Sequence, residues 1–248
     1  MPFTLVAWNK NEAAATILDP IDAVADPHVR VSGADVWVPE ALPMLAGYKV
    51  LGSTVTQARI ESPTLRTLTP IDVSPLDTAS SNTGANLSRI LASNPKTVGG
   101  GEALNVKVTV SAAGRAIALA WLCSGPLAPI TGEVFTVRAT SSTTLTANAW
   151  TNGALTFAQS LPKGRYAVVG MRAISAGLIA ARLVLPGYAW RPGCIGYTAE
   201  NKTEDDAFRG GALGSWGEFD HDVPPTVDFL STSADTSEVV YLDLIKIA

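Results

Sequence analysis

Charge is scarce in this chain, with only 16% of its 248 residues being Asp, Glu, Lys or Arg. Histidine and cysteine are scarcer still, at two each. The net charge of −4 and pI of about 5.2 exclude a broad basic field for gripping nucleic acid, and neither end carries an arginine-rich arm. The longest unbroken apolar run, Ala116–Cys123, falls far short of the roughly 20 residues that cross a bilayer as a helix. The opening MPFTLVAWNKNEAAATIL has no charged segment followed by an apolar core, so no secretory signal is expected. These absences lead to the expectation of a soluble protein made in a cytoplasm. Cys123 and Cys194 stand 194 − 123 = 71 residues apart and form no CxxC or Cys/His ligand spacing. Two small buried thiols are the simpler expectation, because free cysteine packs as a hydrophobe; a single disulfide is the alternative.

Apolar residues are plentiful. They make up 47% of the chain, enough for real cores and too many for disorder over most of the length. The local pattern is alternation. HVRVSGADVWV (28–38), NVKVTV (105–110), EVFTVRATSSTTLTANAW (133–150), ALTFAQ and TVDFLSTS are rich in Val, Thr and aromatics and bounded by Gly, Pro, Ser or Asn. Such segments are half-buried strands. GYKVLGSTVTQARI is a longer strand-like run, and RYAVVGMRAISAGLIAARLVL is expected to match it, with Gly170 and Gly177 marking bulges or bends. Short helices are expected at NLSRILASN (86–94) and at TEDDAFRG (203–210), the latter opening on a capping-box-like Thr203-Glu-Asp-Asp206.

The two halves carry the same landmarks in the same order. LPMLAGYKVLG (42–52) is echoed by LPKGRYAVVG (161–170); the tyrosines differ by 166 − 48 = 118, and Ala58 and Ala176 keep that offset. Pro70 and Pro192 differ by 122, as do the Ser-Ala pairs Ser111-Ala112 and Ser233-Ala234 within strand-turn-strand runs. One architectural unit is thus written twice, each about half of the chain and far longer than a solenoid repeat. Eight strands of about 5–6 residues would fit each half as a sandwich with generous loops.

Candidate chemistry is thin. Glu218, Asp220, His221 and Asp222 in GEFDHDVPP are residue types that bind metals, but no second ligand cluster accompanies them, and a solvated turn before Pro224-Pro225 is the expectation. His28 reads as a loop residue. Leu213-Gly-Ser215-Trp-Gly217 lacks the first glycine of a nucleophile elbow. Gly99-Gly100-Gly101 is followed by Glu102-Ala103 where a phosphate loop needs Lys and Ser or Thr, and it reads as a flexible connector. The sequons at Asn86 and Asn201 carry weight only in a secreted chain. Trp37, Trp150, Trp190 and Trp216 could stack on sugars, although an indole in a β-rich chain more often belongs to a core or a subunit contact. No catalytic, cofactor-binding or metal-binding residue is assigned.

Two tandem β-domains, few cysteines and a helix-bearing loop late in each half resemble the double jelly-roll major capsid proteins of tailless icosahedral viruses, the lineage of adenovirus hexon and membrane-containing bacteriophages. The resemblance is architectural and covers nearly the whole chain, in a compact version with little room for towers. It implies an all-β fold of two eight-stranded antiparallel jelly rolls, residues 1–128 and 129–248, each with one short helix in a late loop. It also implies a non-enzymatic structural protein of the virion, assembled in a host cytoplasm as homotrimeric, pseudo-hexameric capsomers. Its partners would be neighbouring capsomers and other capsid proteins such as penton or minor proteins, with an internal membrane as a further possibility. It would have no cofactor and no sequence-specific contact with nucleic acid. Two other readings stand beside it: a carbohydrate-binding β-sandwich of spike or lectin type, and an enzyme that uses the Glu218–Asp222 cluster on a β-scaffold.

Overall fold

The computed structural model describes residues 2–68, 71–73, 88–202 and 205–248. Strand accounts for 51% of it and helix for 3%. Its contacts divide the chain into an N-terminal unit, Leu5–Pro126, and a C-terminal unit, Leu127–Ala248 together with Met1–Thr4.

The strands of the first half are β1 (Phe3–Glu12), β2 (Thr16–Pro20), β3 (Val31–Ser32), β4 (Asp35–Trp37), β5 (Met44–Leu51), β6 (Val55–Glu61), β7 (Ile71–Val73), β8 (Arg89–Ile90), β9 (Lys96–Thr97), β10 (Ala103–Val110) and β11 (Gly114–Cys123). One sheet runs β1-β11-β5, with β8 and β9 on the far edge of β5. The other has β10 at its centre, with β6 and then β7 on one side and β2 and β4 on the other, β3 lying beyond β4. In β10 the buried positions alternate, Leu104, Val106, Val108 and Val110, as a one-faced strand requires. In β11 the apolar run Ala116–Cys123 is buried at every position, so this strand is covered on both faces.

Neighbouring long strands do not pair with each other here: β5 and β6, like β10 and β11, lie in different sheets. The connections between them, Gly52–Thr54 and Ser111–Ala113, give four Cα steps, a reach of at most about 13–14 Å. Facing sheets stand about 10 Å apart, so each connection is an arch that passes directly from one sheet to the other. The two arches are clasped. The Ser111 amide donates to the Thr54 carbonyl at 2.9 Å and the Ser111 hydroxyl donates to the same oxygen at 3.3 Å.

The second half contains β12 (Phe135–Ser141), β13 (Trp150–Ala154), β14 (Thr156–Phe157), β15 (Arg165–Ile174), β16 (Leu178–Val184), β17 (Gly193–Tyr197), β18 (Gly217–Asp220), β19 (Thr226–Ser231) and β20 (Glu238–Lys246). One row of strands is β12-β20-β15, with β18 on the far edge of β15; the other is β13-β19-β16-β17. A parallel contact of β17 with β15, Ala173 to Gly196 and Ile174 to Tyr197, joins the rows into one nine-stranded sheet. The arches Ser175–Gly177 and Thr232–Ser237 are clasped as in the first half: the Thr232 amide and hydroxyl both donate to the Gly177 carbonyl, at 2.9 and 3.2 Å.

The pairing order of the two units is the same. Setting aside β3, β4 and β14, counting β8 and β9 as one edge, and numbering the principal strands of each unit from one to eight, both units read 1-8-3-6 and 2-7-4-5. The pairs Ser111-Ala112 and Ser233-Ala234 fall in corresponding arches. Tyr48 and Tyr166 lie on corresponding strands but at different heights, three residues before Leu51 and eight before Ile174, the ends of β5 and β15. Ala58 is inside β6, whereas Ala176 is in an arch, so that letter match has no structural counterpart.

Gly170 sits where β15 and β20 slip register, and Gly177 sits in the arch, as bulge and bend positions. The helix expected at 86–94 does not form over its described part: Arg89–Ile90 is strand β8, paired with Tyr48 and Gly47 on the open edge of β5, while Asn86 lies outside the described residues. An unpaired strand edge supplies both donors and acceptors, and this outweighs a short helical pattern. The helix of this region comes earlier, as α1 (Pro63–Leu68), with proline at its first position and the Ser62 hydroxyl accepting from the Leu65 amide at 3.2 Å. At the second expected site a 3-10 turn, Asp206–Phe208, forms instead, capped by Asp205 through the Ala207 amide at 3.1 Å; Thr203 lies outside the described residues.

A Cβ at Gly170 would lie 2.6 Å from the Asp243 carboxylate and 2.8 Å from the Phe208 carbonyl. Gly170→Ala should therefore destabilise the protein by about 1–3 kcal/mol, the usual cost of overpacking, measured by thermal or urea denaturation.

Candidate functional site

The acidic segment does not assemble a centre. Glu218 and Asp220 project from β18, where the Arg165 guanidinium pairs with Glu218 at 2.8 Å, and His221 Nδ1 stands 3.9 Å from Asp222 Oδ1 in the turn that follows. Asp220, His221 and Asp222 border a shallow, open groove with Lys163, Gly164, Arg165 and Ala248. Among the described residues no group of three or more His, Cys, Asp or Glu is placed to hold a metal ion. His28 is exposed in an Asx turn, its amide donating to the Asp26 carboxylate at 2.8 Å. Ser215 follows the 3-10 turn Asp206–Phe208 and precedes β18, the reverse of the strand-to-helix order that a nucleophile elbow needs.

The glycine triplet is not a slack connector. Gly99 and Gly101 have φ of 81° and 73°, and a Cβ on Gly100 would come within 2.6 Å of the Glu40 carboxylate. The triplet is a tight turn, held by amide donation from Gly101 to the Val38 carbonyl at 2.9 Å. Cys123 and Cys194 are both buried thiols.

Of the four tryptophans considered for sugar stacking, among six in the chain, three are committed to packing. Trp37 lies under the Arg30 guanidinium at 4.5 Å, Trp150 under that of Arg182 at 4.1 Å, and Trp216 meets Phe3 edge to face at 5.3 Å. Trp190 is half-buried and borders, with Tyr188, Ser215 and Trp216, a recess of about 320 Å³.

The strongest electrostatics belong to buried residues that composition and spacing did not single out. In the C-terminal unit Arg182 pairs with Asp228 at 3.0 Å across β16 and β19, and Asn152 of β13 donates to the same carboxylate at 2.8 Å. Asp243, on β20, receives Arg209 on both oxygens at 2.7 and 2.8 Å, the Gly210 amide at 2.8 Å and the Thr136 hydroxyl at 2.7 Å. Burial pushes this carboxyl up, but the four donors outweigh it and hold the group below the usual carboxylate range. The loop after the 3-10 turn is thereby tied to the central strand.

A second carboxylate cluster lies at the arches of the same unit. Asp235 accepts from the Ser175 hydroxyl, from the Ala176 amide at 2.8 Å and from the Thr236 amide at 2.8 Å, and these bonds lower its pKa. Glu238, the first residue of β20, is 1% exposed, and neither of its carboxylate oxygens makes a well-formed hydrogen bond among the described residues. Burial is the main reason that its pKa is pushed up to about 7, and the negative charge of Asp235 adds to the shift. The arches of the N-terminal unit, Gly52–Thr54 and Ser111–Ala113, contain no ionisable side chain.

Replacing Asp243 takes from Arg209 the carboxylate that receives it on both oxygens, and Asp243→Asn should cost about 3 kcal/mol in denaturant unfolding. Because the folded-state pKa of Asp243 is depressed, its contribution is present above the range in which an unfolded aspartate ionises and is lost as pH falls through the folded value; the variant should lack that part of the acid limb. His221→Ala and Asp222→Ala, on the solvated turn, should stay within about 0.5 kcal/mol of the unaltered protein.

No family model matches the chain, and no curated protein matches it. Among solved structures, the crystal structure of the major capsid protein P2 from bacteriophage PM2 is similar over 99% of this chain and 98% of that one, at 12% identity and a TM-score of 0.24. At so low a TM-score the two chains do not superpose closely.

Proposed function

We propose that the protein is a viral major capsid protein, built from two jelly rolls spanning residues 1–128 and 129–248 and acting as a homotrimer in an icosahedral shell. One observation carries this reading: both units share the strand order 1-8-3-6 and 2-7-4-5, with the last strand interior to one row of strands and the penultimate strand interior to the other. That is the order of a jelly roll, in which two Greek keys wrap one sandwich. Two similar units per chain would give each subunit two roughly equivalent lateral faces, and contacts of that kind form rings when the rotation between copies closes. Three chains with six units would present a nearly hexagonal outline, which tiles a shell with few distinct contacts. Neighbouring capsomers, penton or minor capsid proteins and an internal membrane fit as partners. The acidic balance supports assembly that does not depend on nucleic acid.

A carbohydrate-binding β-sandwich is the second reading, favoured by the recess at Tyr188, Trp190 and Trp216. A glycan array separates it from the first.

Light scattering of the purified protein at moderate salt should give about three times the 25.8 kDa of one chain, with larger particles at high concentration and no salt-sensitive DNA binding. A monomer over a wide concentration range, with no contact between chains that buries about 1,000 Å², would contradict the capsid reading.

A further inference from the structure

The arch end of the C-terminal unit gathers three segments on a few groups. From the β12–β13 connection the Leu145 amide donates to the Asp235 carbonyl at 2.8 Å and the Asn148 amide to the Ser231 carbonyl at 2.7 Å, while Ala147 bridges to Ser231. From the β15–β16 arch, Ser175 and Ala176 hold the Asp235 carboxylate, and Gly177 accepts from Thr232. The β19–β20 arch supplies Asp235 itself and leads into Glu238.

Glu238 is the misfit in this cluster. Across the ladder it faces Ser141 of β12, and its successor Val239 pairs with Ile174, which precedes Ser175. Burial is the largest influence on it and disfavours the anion; its own amide favours the anion, the like charge of Asp235 opposes it, and the Ser141 hydroxyl and the Ser237 amide favour the anion by less. The side chain is buried and neither oxygen makes a well-formed hydrogen bond among the described residues, so the neutral acid fits better than the anion.

We propose that Glu238 is a proton-operated latch: with its carboxyl neutral, the β12–β13 connection and the two arches of the C-terminal unit are held closed, and its ionisation beside Asp235 releases them. The device goes beyond a role in a shell and holds whether or not the protein forms one. Sign follows from the raised pKa of the closed form. Closure is favoured most below the range of an exposed glutamate, weakens as pH rises, and has lost this contribution above about 7.

Hydrogen exchange of the whole chain, followed by mass spectrometry at pH 5.5 and 8.5 and corrected for the intrinsic exchange rate, tests the latch. Protection over 142–149, 175–177 and 232–237 should fall on the order of tenfold at the higher pH. The arches 52–54 and 111–113 serve as internal controls and should stay unchanged. Glu238→Gln should keep the protection at both values. If that variant does not fold, carbon-13 NMR of the Glu238 carboxyl in the unaltered protein decides the matter: a midpoint near 7 supports the latch and one between 4 and 5 overturns it. Equal protection at both pH values also overturns it. So does protection restored at pH 8.5 by millimolar calcium alone, since the carboxylate would then be a cation ligand.

Discussion

The constraint that both units share is a clasp between two arches. One residue, Ser111 in the first unit and Thr232 in the second, gives both its amide and its hydroxyl to one carbonyl oxygen of the other arch, that of Thr54 or Gly177. The clasp fixes where the chain leaves one sheet and enters the other. Because β5 and β6, and β10 and β11, are consecutive yet sit in different sheets, a shift of either arch would displace a strand in both sheets at once. In the second unit β15 and β16, and β19 and β20, are likewise consecutive yet lie in different rows of the nine-stranded sheet. Side chains alternate across a strand, so a one-residue slip would turn the buried set outward, and the clasp is a register device as well as a connection.

The closing strands show what that device secures. β11 lies between β1 and β5, and β20 between β12 and β15, so in both units the last strand is inserted between the first and the third principal strands. Its partners are distant in sequence, a pattern that costs loop-closure entropy before any contact rewards it. Burial along β11 at every position from Ala116 to Cys123, and along β20 at Val240, Leu242 and Leu244, supplies the return. The buried polar exceptions on β20 are Glu238 and Asp243, one whose carboxylate has no well-formed hydrogen bond among the described residues and the other saturated by four donors.

Much of the fold was legible because alternation is a local signal. NVKVTV and TVDFLSTS read as one-faced strands, and the Ser-Ala pairs at 111–112 and 233–234 marked turns that turned out to be arches. The tyrosine match was legible only in part: it found corresponding strands but not corresponding heights, because β15 runs further beyond its tyrosine than β5 does. Helical letters at 86–94 misled, since the edge of β5 that captures Arg89–Ile90 is formed by residues far away in sequence. Ser62-Pro63, a cap followed by a first-turn proline, was the signal that could have placed α1. The site was harder to read. Glu218–Asp222 drew attention because its charges are adjacent in sequence, whereas Arg209 and Asp243, or Asp235 and Ser175, meet only through the sheets. Nothing in a linear string distinguishes Glu238 from any other glutamate; its burial exists only once β12 and the two arches close around it.

The central claim is that one strand order, written twice, makes a subunit suited to trimeric tiling. Electron cryomicroscopy of the purified oligomer tests it most directly. The account predicts threefold particles with six similar lobes, two per chain, each with its last strand interior to one row of strands. Particles of twofold symmetry, or lobes whose strand orders differ within one chain, would contradict it.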